Sequence, residues 1–136
     1  MSSIVRSFTA FAAILVAILA GCATDSTVRS NASVLPGTYY SGDGLGRNVT
    51  VVRPDGTYSS NWEGCLGIYG KSMGTWLVQG EHILFHPLSE KDQLAGYLTR
   101  ATTIEHSGRL GFARDQDLKQ DRINEQLVFF REIPRP

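Results

Sequence analysis

The sequence predicts an all-β domain, a small antiparallel up-and-down barrel or a curled sandwich of about eight short strands. Three observations lead there. The tripeptide Gly-Thr-aromatic occurs at Gly37-Thr38-Tyr39, Gly56-Thr57-Tyr58 and Gly74-Thr75-Trp76, with spacings of 19 and 18 residues. That is close to the length of a hairpin built from two strands of about six residues with their turns. Segments rich in β-branched and aromatic residues alternate with Gly, Pro, Asp and Asn signals, the pattern of strand and turn. No segment carries an apolar face of period 3.6. So many short strands protect their edges by curling or closing the sheet.

The first 22 residues form a unit of their own. One positive charge (Arg6) precedes a short apolar run over residues 10–20, and Leu19-Ala20-Gly21-Cys22 closes the segment. The run is shorter than the roughly 20 apolar residues of a membrane-spanning helix. Charge, apolar core, small residues and then cysteine is an order that resembles a bacterial lipoprotein signal peptide with its lipobox. The resemblance implies cleavage before Cys22, a diacylglycerol on its sulfur and an acylated amine, making Cys22 the lipid-attachment residue and the membrane a partner. Two acyl chains hold where one is marginal. Ala23, in place of an aspartate there, implies the outer membrane and its periplasmic face. The expected division is a signal peptide over 1–21, the lipidated cysteine and a flexible tether over 22–35, and the β domain over 36–136. Residues 23–35 are small and polar and extend to roughly 40 Å.

Within the domain the elements follow in order. Residues 37–41 start the first strand, and the glycine-rich 42–46 turns it. Residues 48–53 (NVTVVR) are β-branched and run into Pro54-Asp55-Gly56, where proline fixes φ and glycine relieves it. Residues 57–62 alternate, with Tyr58 and Trp62 on one face beside Ser60. Residues 74–79 lead through Gly80-Glu81 to 82–86 as a hairpin. Ser89-Glu90-Lys91-Asp92 matches a capping box and is expected to start a helical turn before Gly96. A strand over 98–105 turns at Ser107-Gly108 and returns over 109–114. Residues 115–126 are highly charged and read as a solvated loop or hairpin tip, and 124–133 supply the last strand, stopped at Pro134.

Gly37-Thr38-Tyr39-Tyr40 resembles the Gly-x-Trp start of a lipocalin, with Arg131 in the position of the arginine that packs across that strand. Residues 74–85 (GTWLVQGEHILF) are similar to hairpins of small lipocalin-like bacterial envelope proteins. Tyr39 stands where the lipocalin tryptophan would be, and the domain is short for that family. The resemblance implies a barrel with a binding end.

Composition narrows the chemistry. With Arg6 gone, the 13 basic side chains fall by one against 13 acidic, which is no footprint for nucleic acid. Cys22 is committed to lipid, so Cys65 has no intrachain partner. Its setting between Gly64 and Leu66 reads as a small buried hydrophobe, with an intermolecular disulfide or a catalytic thiol as alternatives. His82 and His86 lie four apart on an expected strand, about 13 Å, too far to share one zinc. A metal site with His106 is not expected. Gly42-Asp43-Gly44-Leu45-Gly46 fits neither phosphate-loop pattern. Asp115, Asp117, Asp121 and Glu125 fail calcium spacing, with Lys119 and Gln120 where a ligand and a glycine belong. No nucleophile motif occurs.

The functional expectation is therefore a non-catalytic binding module without cofactor or metal. Its ligand would be a small apolar molecule or an envelope component, contacted through Tyr40, Tyr58, Trp62, Trp76 and Tyr97, with Tyr39 a further candidate. Aromatic side chains suit this because they join a broad apolar face to a hydrogen-bonding tip. The competing expectation is that most of them simply fill the barrel. A second reading is an inhibitor or assembly partner of another envelope protein, working through loops 42–47, 64–72 and 115–126, as in small barrel lipoproteins that block lysozyme or proteases. An enzyme ranks third.

Overall fold

A computed structural model describes residues 34–119 and 122–133. The expected signal peptide, Cys22 and the expected tether up to residue 33 lie outside the described residues, as do Asp121 and Pro134. Eight antiparallel strands close into a barrel in sequence order: β1 (Gly37–Gly42), β2 (Gly46–Val52), β3 (Thr57–Gly64), β4 (Gly67–Gln79), β5 (His82–Asp92), β6 (Arg100–His106), β7 (Arg109–Arg114) and β8 (Phe129–Arg131). The expected eight-stranded up-and-down barrel is what forms.

Alternation along each strand sorts residues to the two faces. Tyr39, Val52, Tyr58, Trp76, Ile83, Phe85, Phe112 and Phe129 point inward and form one apolar cluster with Leu35, Leu98 and Ala101. Phe112 and Phe129 stack with centroids 4.7 Å apart, and Tyr39 tilts onto Phe112 at 5.0 Å. Leu35, in the stretch read as tether, is 2% exposed and belongs to this core.

The three Gly-Thr-aromatic glycines work by different means. Gly56 adopts φ +82° in the β2–β3 turn, as a turn glycine should. A Cβ on Gly37 would lie 2.8 Å from Arg131 Nε, and one on Gly74 would collide with the His86 carbonyl. At Gly74 the β4–β5 register shifts, Met73 facing Ser89 and Gly74 facing Pro87, which leaves Leu88 bulged and 80% exposed. Glycine there lets two backbones approach.

Two expectations are corrected. Ser89–Asp92 starts no helix. It continues β5, because Met73, Ser72, Lys71 and Gly70 of β4 face Ser89, Glu90, Lys91 and Asp92 and take up their backbone. Asp92 then bends at φ 55°, and the turn that follows buries Leu94 and Leu98 completely. The last strand is also short. Residues 115–128 instead form a connection with 3₁₀ turns at Asp117–Lys119 and Glu125–Leu127. Part of it packs on the outer wall, where Ala113, Val128 and Phe130 cluster with Ile104 and Leu118.

Closure rests on β8. It pairs with β1 through Tyr39↔Arg131 and Tyr40↔Phe130, and with β7 through Gly111↔Phe130 and Phe112↔Phe129. Arg131 secures the seam by donating to the carbonyls of Val34 at 3.0 Å and Pro36 at 2.8 Å. The Tyr39 hydroxyl donates to Leu35 O at 2.6 Å. Charged hydrogen bonds contribute about 1.5–3 kcal/mol each. Arg131→Met, which keeps the aliphatic stem, is expected to lower urea-unfolding stability by about 2–4 kcal/mol, less than the full pair because the site is partly solvated. An unchanged midpoint would show that the clasp is idle.

Candidate functional site

The barrel interior is not uniform. Its apolar filling gives way, toward the end carrying the β1–β2, β3–β4, β5–β6 and β7–β8 connections, to small polar side chains: Ser41, Asn48, Thr50, Ser60 and Ser72, all buried. The Ser60 hydroxyl donates to Asn48 Oδ1 at 2.6 Å, Thr50 Oγ1 reaches the same oxygen at 3.4 Å, and the two hydroxyls lie 2.8 Å apart. Asn48 Nδ2 is buried and has no partner. Because these side chains are short, they leave space. A cavity of about 130 Å³ is lined by Ser41, Gly42, Asp43, Gly46, Asn48, Trp62, Tyr97, Gln126 and Leu127.

Two aromatic residues form one wall of it. Trp62 sits where β3 slips register against β4, a bulge of the kind that re-aims a side chain. Its ring lies 5.9 Å from that of Tyr97. Tyr97 is held by the Arg114 guanidinium, 3.7 Å from its ring centroid. Arg114 is fixed in turn by a bidentate pair to Asp117 at 2.6 and 2.8 Å, with the two side chains only 13% and 11% exposed. The β1–β2 turn bounds the other side. There Asp43 Oδ1 accepts from the backbone N–H of Leu45 and Gly46, which holds its carboxyl below the usual range.

On the outer wall lies a larger cleft of about 700 Å³. Tyr40, Arg47, Glu63, Cys65, Arg109, Glu125 and Phe130 line it, and it shares Ser41, Gly42, Gly46 and Gln126 with the inner cavity. Arg109 lies 4.1 Å over the Phe130 ring and Arg47 5.7 Å from that of Tyr40. The Tyr40 hydroxyl donates to Glu132 Oε2 at 3.2 Å. Partial desolvation and the Glu132 carboxylate raise its pKa.

The five aromatic candidates thus separate. Trp62 and Tyr97 meet at the inner cavity, and Tyr40 faces the outer cleft. Tyr58 is 1% exposed, hydrogen-bonded to Ser72 Oγ at 2.8 Å and packed edge-on against Phe85. Trp76 is buried, and its Nε1 donates to Arg53 O at the opposite end. These two, with Tyr39, fill the barrel. Parts of the loops named from sequence do converge on the cleft, through Gly42 to Arg47, Cys65, and Glu125 with Gln126. Asn48, Ser41 and Arg109 escaped the sequence reading. The signal available was the inward phase of Asn48 in β2, where a valine would be ordinary.

Cys65 is exposed, which overturns its reading as a buried hydrophobe. It lies in the β3–β4 turn, between flanks that pair to the end of the hairpin, so its side chain has no core to enter. Leu66 beside it is 91% exposed and Leu45 77%. The Cys65 thiol approaches only Leu45 O, at 3.7 Å.

The histidines are distributed. His82 contacts Thr102 Oγ1 at 3.0 Å and Asp115 at 3.4 Å, His106 contacts Glu125 at 2.8 Å, and His86 is exposed on β5. Among the described residues no group of three or more His, Cys, Asp or Glu is placed to hold a metal ion, and no helix is long and apolar enough to cross a membrane. No family model, curated protein or solved structure matches the chain.

Burial raises the pKa of Tyr39, Tyr58 and Tyr97. Arg131 opposes the shift at Tyr39, Ser72 opposes it at Tyr58 while Glu90 adds to it, and at Tyr97 Arg114 opposes while Asp117 adds. A phenol raised in the folded chain keeps a proton that the unfolded chain releases above pH about 10. Its contribution is complete below that pH and is lost as pH rises further. The urea midpoint is expected to fall between pH about 9 and about 11, and a flat profile would contradict the burial of these phenols. Cys65 is expected to react fully with a thiol reagent in the native protein, without denaturant.

Proposed function

We propose that the protein is an envelope lipoprotein, anchored through lipid on Cys22 to the periplasmic face of the outer membrane, that works as a non-catalytic binding module. The single observation that carries the binding reading is the inner cavity at the polar end of the barrel. An unpartnered buried amide donor, Asn48 Nδ2, stands there among aromatic walls. An unsatisfied buried polar group in a concave site needs an explanation, and a ligand acceptor supplies one. The adjoining cleft has the volume of a small-molecule site. The lipocalin-like reading is supported by Arg131, which packs across the start of β1.

The bulk of the interior is filled by side chains, so the ligand is a small one gripped at the barrel mouth and not a long apolar chain swallowed whole. β1 enters the barrel at the end opposite the mouth. A tether joined there leaves the mouth clear of the anchor.

A second reading, an inhibitor or assembly partner acting through its loops, is favoured by Leu45, Cys65 and Leu66 standing exposed together beside the cleft. One preparation separates the possibilities. Full-length protein extracted from membranes is expected to carry acyl label that Cys22→Ser abolishes, and native mass spectrometry should show a retained small ligand. An apo mass with a co-purifying protein would favour the second reading. Normal processing of Cys22→Ser would defeat the lipid anchor.

A further inference from the structure

We propose that the inner cavity takes the acetamido tip of a ligand. Its carbonyl oxygen accepts from Asn48 Nδ2, its methyl group lies against Trp62 and Tyr97, and the rest of the ligand occupies the outer cleft. This rests on the binding reading above and adds the chemical class.

Three features of the cavity select that group. Asn48 is 4% exposed, and its Oδ1 already receives the Ser60 hydroxyl at 2.6 Å. What it has left to offer is a donor, and a donor calls for an acceptor such as a carbonyl oxygen. One charged side chain lines the space, at its exposed rim. Asp43 is the one ionisable carboxylate there, and its Oδ1 is engaged by the two backbone N–H groups of its own turn. A carboxylate on the ligand would find no cation in the lining, and burying an unpaired charge is costly. The third feature is size. About 130 Å³ is room for one small group, a little under a cavity that admits benzene. A planar group of four heavy atoms fits, and a long hydrocarbon chain does not.

The remaining side chains match the rest of the group. The Trp62 and Tyr97 rings, tilted 53° to each other, give an apolar wall to the methyl. Ser41 and Gln126 supply acceptor oxygens for the amide N–H. Both line the cleft as well as the cavity. An amide nitrogen held between them therefore points its substituent outward, into the larger space.

The test uses isotope-labelled full-length protein in detergent and follows the Asn48 side-chain amide and the Trp62 indole by NMR. N-acetylglucosamine and N-acetylglycinamide present the same group on two carriers, and glucosamine and glycinamide lack it. The expected result is a saturable shift of both signals with at least one acetylated probe and none with the controls, the responding carrier identifying the source. Asn48→Asp, which removes the donor at constant shape, should weaken that binding at least tenfold. Silence with both acetylated probes, equal shifts with the controls, or unchanged binding by Asn48→Asp would overturn the proposal. The wild-type titration decides the matter even where the variant fails to fold. A retained native ligand without an acetamido group would sink this inference and leave the binding reading standing. An apo mass together with a silent titration would remove both.

Discussion

Everything in this barrel depends on closing the sheet through a strand of three residues. β8 offers only Phe129, Phe130 and Arg131 to two neighbours at once. The ladder there is short, and the seam is secured by other means. Phe129 stacks inside on Phe112, Phe130 packs outside with Ala113 and Val128, and Arg131 ties the chain ahead of β1 to the last strand. Adjacent residues buried on opposite faces of one strand require cover on both sides. The outer cover comes from the connection that precedes β8, with Leu118 in the cluster. An open edge between β7 and β1 would expose unpaired backbone, take Phe129 from the core and strip Phe130 from the outer cluster.

A closed barrel of eight strands is just wide enough for side chains to fill, so any space within it reflects a choice of small residues. Here the choice is segregated. Large apolar groups fill one end, while Ser41, Asn48, Thr50, Ser60 and Ser72 occupy the other. Partnered hydroxyls cost little to bury. Asn48 Nδ2 and Glu90 Oε1 are different, because each is buried without a partner, and such a group costs about 1–3 kcal/mol. A valine at position 48 would remove the first cost. Stability surrendered at the mouth, and nowhere in the apolar half, is what a binding end would show.

Local signals made most of the fold legible, and tertiary pairing hid the rest. Pro54-Asp55-Gly56, Gly80-Glu81 and Ser107-Gly108 each carry their turn chemistry within a few residues, and all three hairpins form there. The capping box at Ser89 is equally local but loses to β4, whose backbone offers a full ladder. Its competitor lies some 20 residues away, beyond the reach of a short motif. The aromatic candidates divide for another reason. Period-2 alternation assigns residues to faces but does not say which face is the interior when both are covered. Tyr39 and Tyr40 look alike in sequence, yet one is core and the other lines the outer cleft. Cys65 was misjudged because apolar neighbours suggested burial, whereas Leu66 is itself exposed.

The two cavities meet across Gly42 and Gly46, and Ser41 and Gln126 line both. Gly42 has φ +148°, and a Cβ on it would collide with the Gly46 carbonyl. A Cβ on Gly46 would lie 3.2 Å from Trp62 Nε1 and the same distance from Glu63 O. Where β1 turns into β2, then, the chain is as thin as a polypeptide can be made, and the indole lies directly against it. A side chain at Gly46 would crowd Trp62, and one at Gly42 would force the turn away from Gly46 and Arg47. The glycines that resemble a phosphate loop without matching its pattern thus serve a geometric purpose. They bring an inner polar pocket and an outer aromatic cleft within one backbone's width of each other.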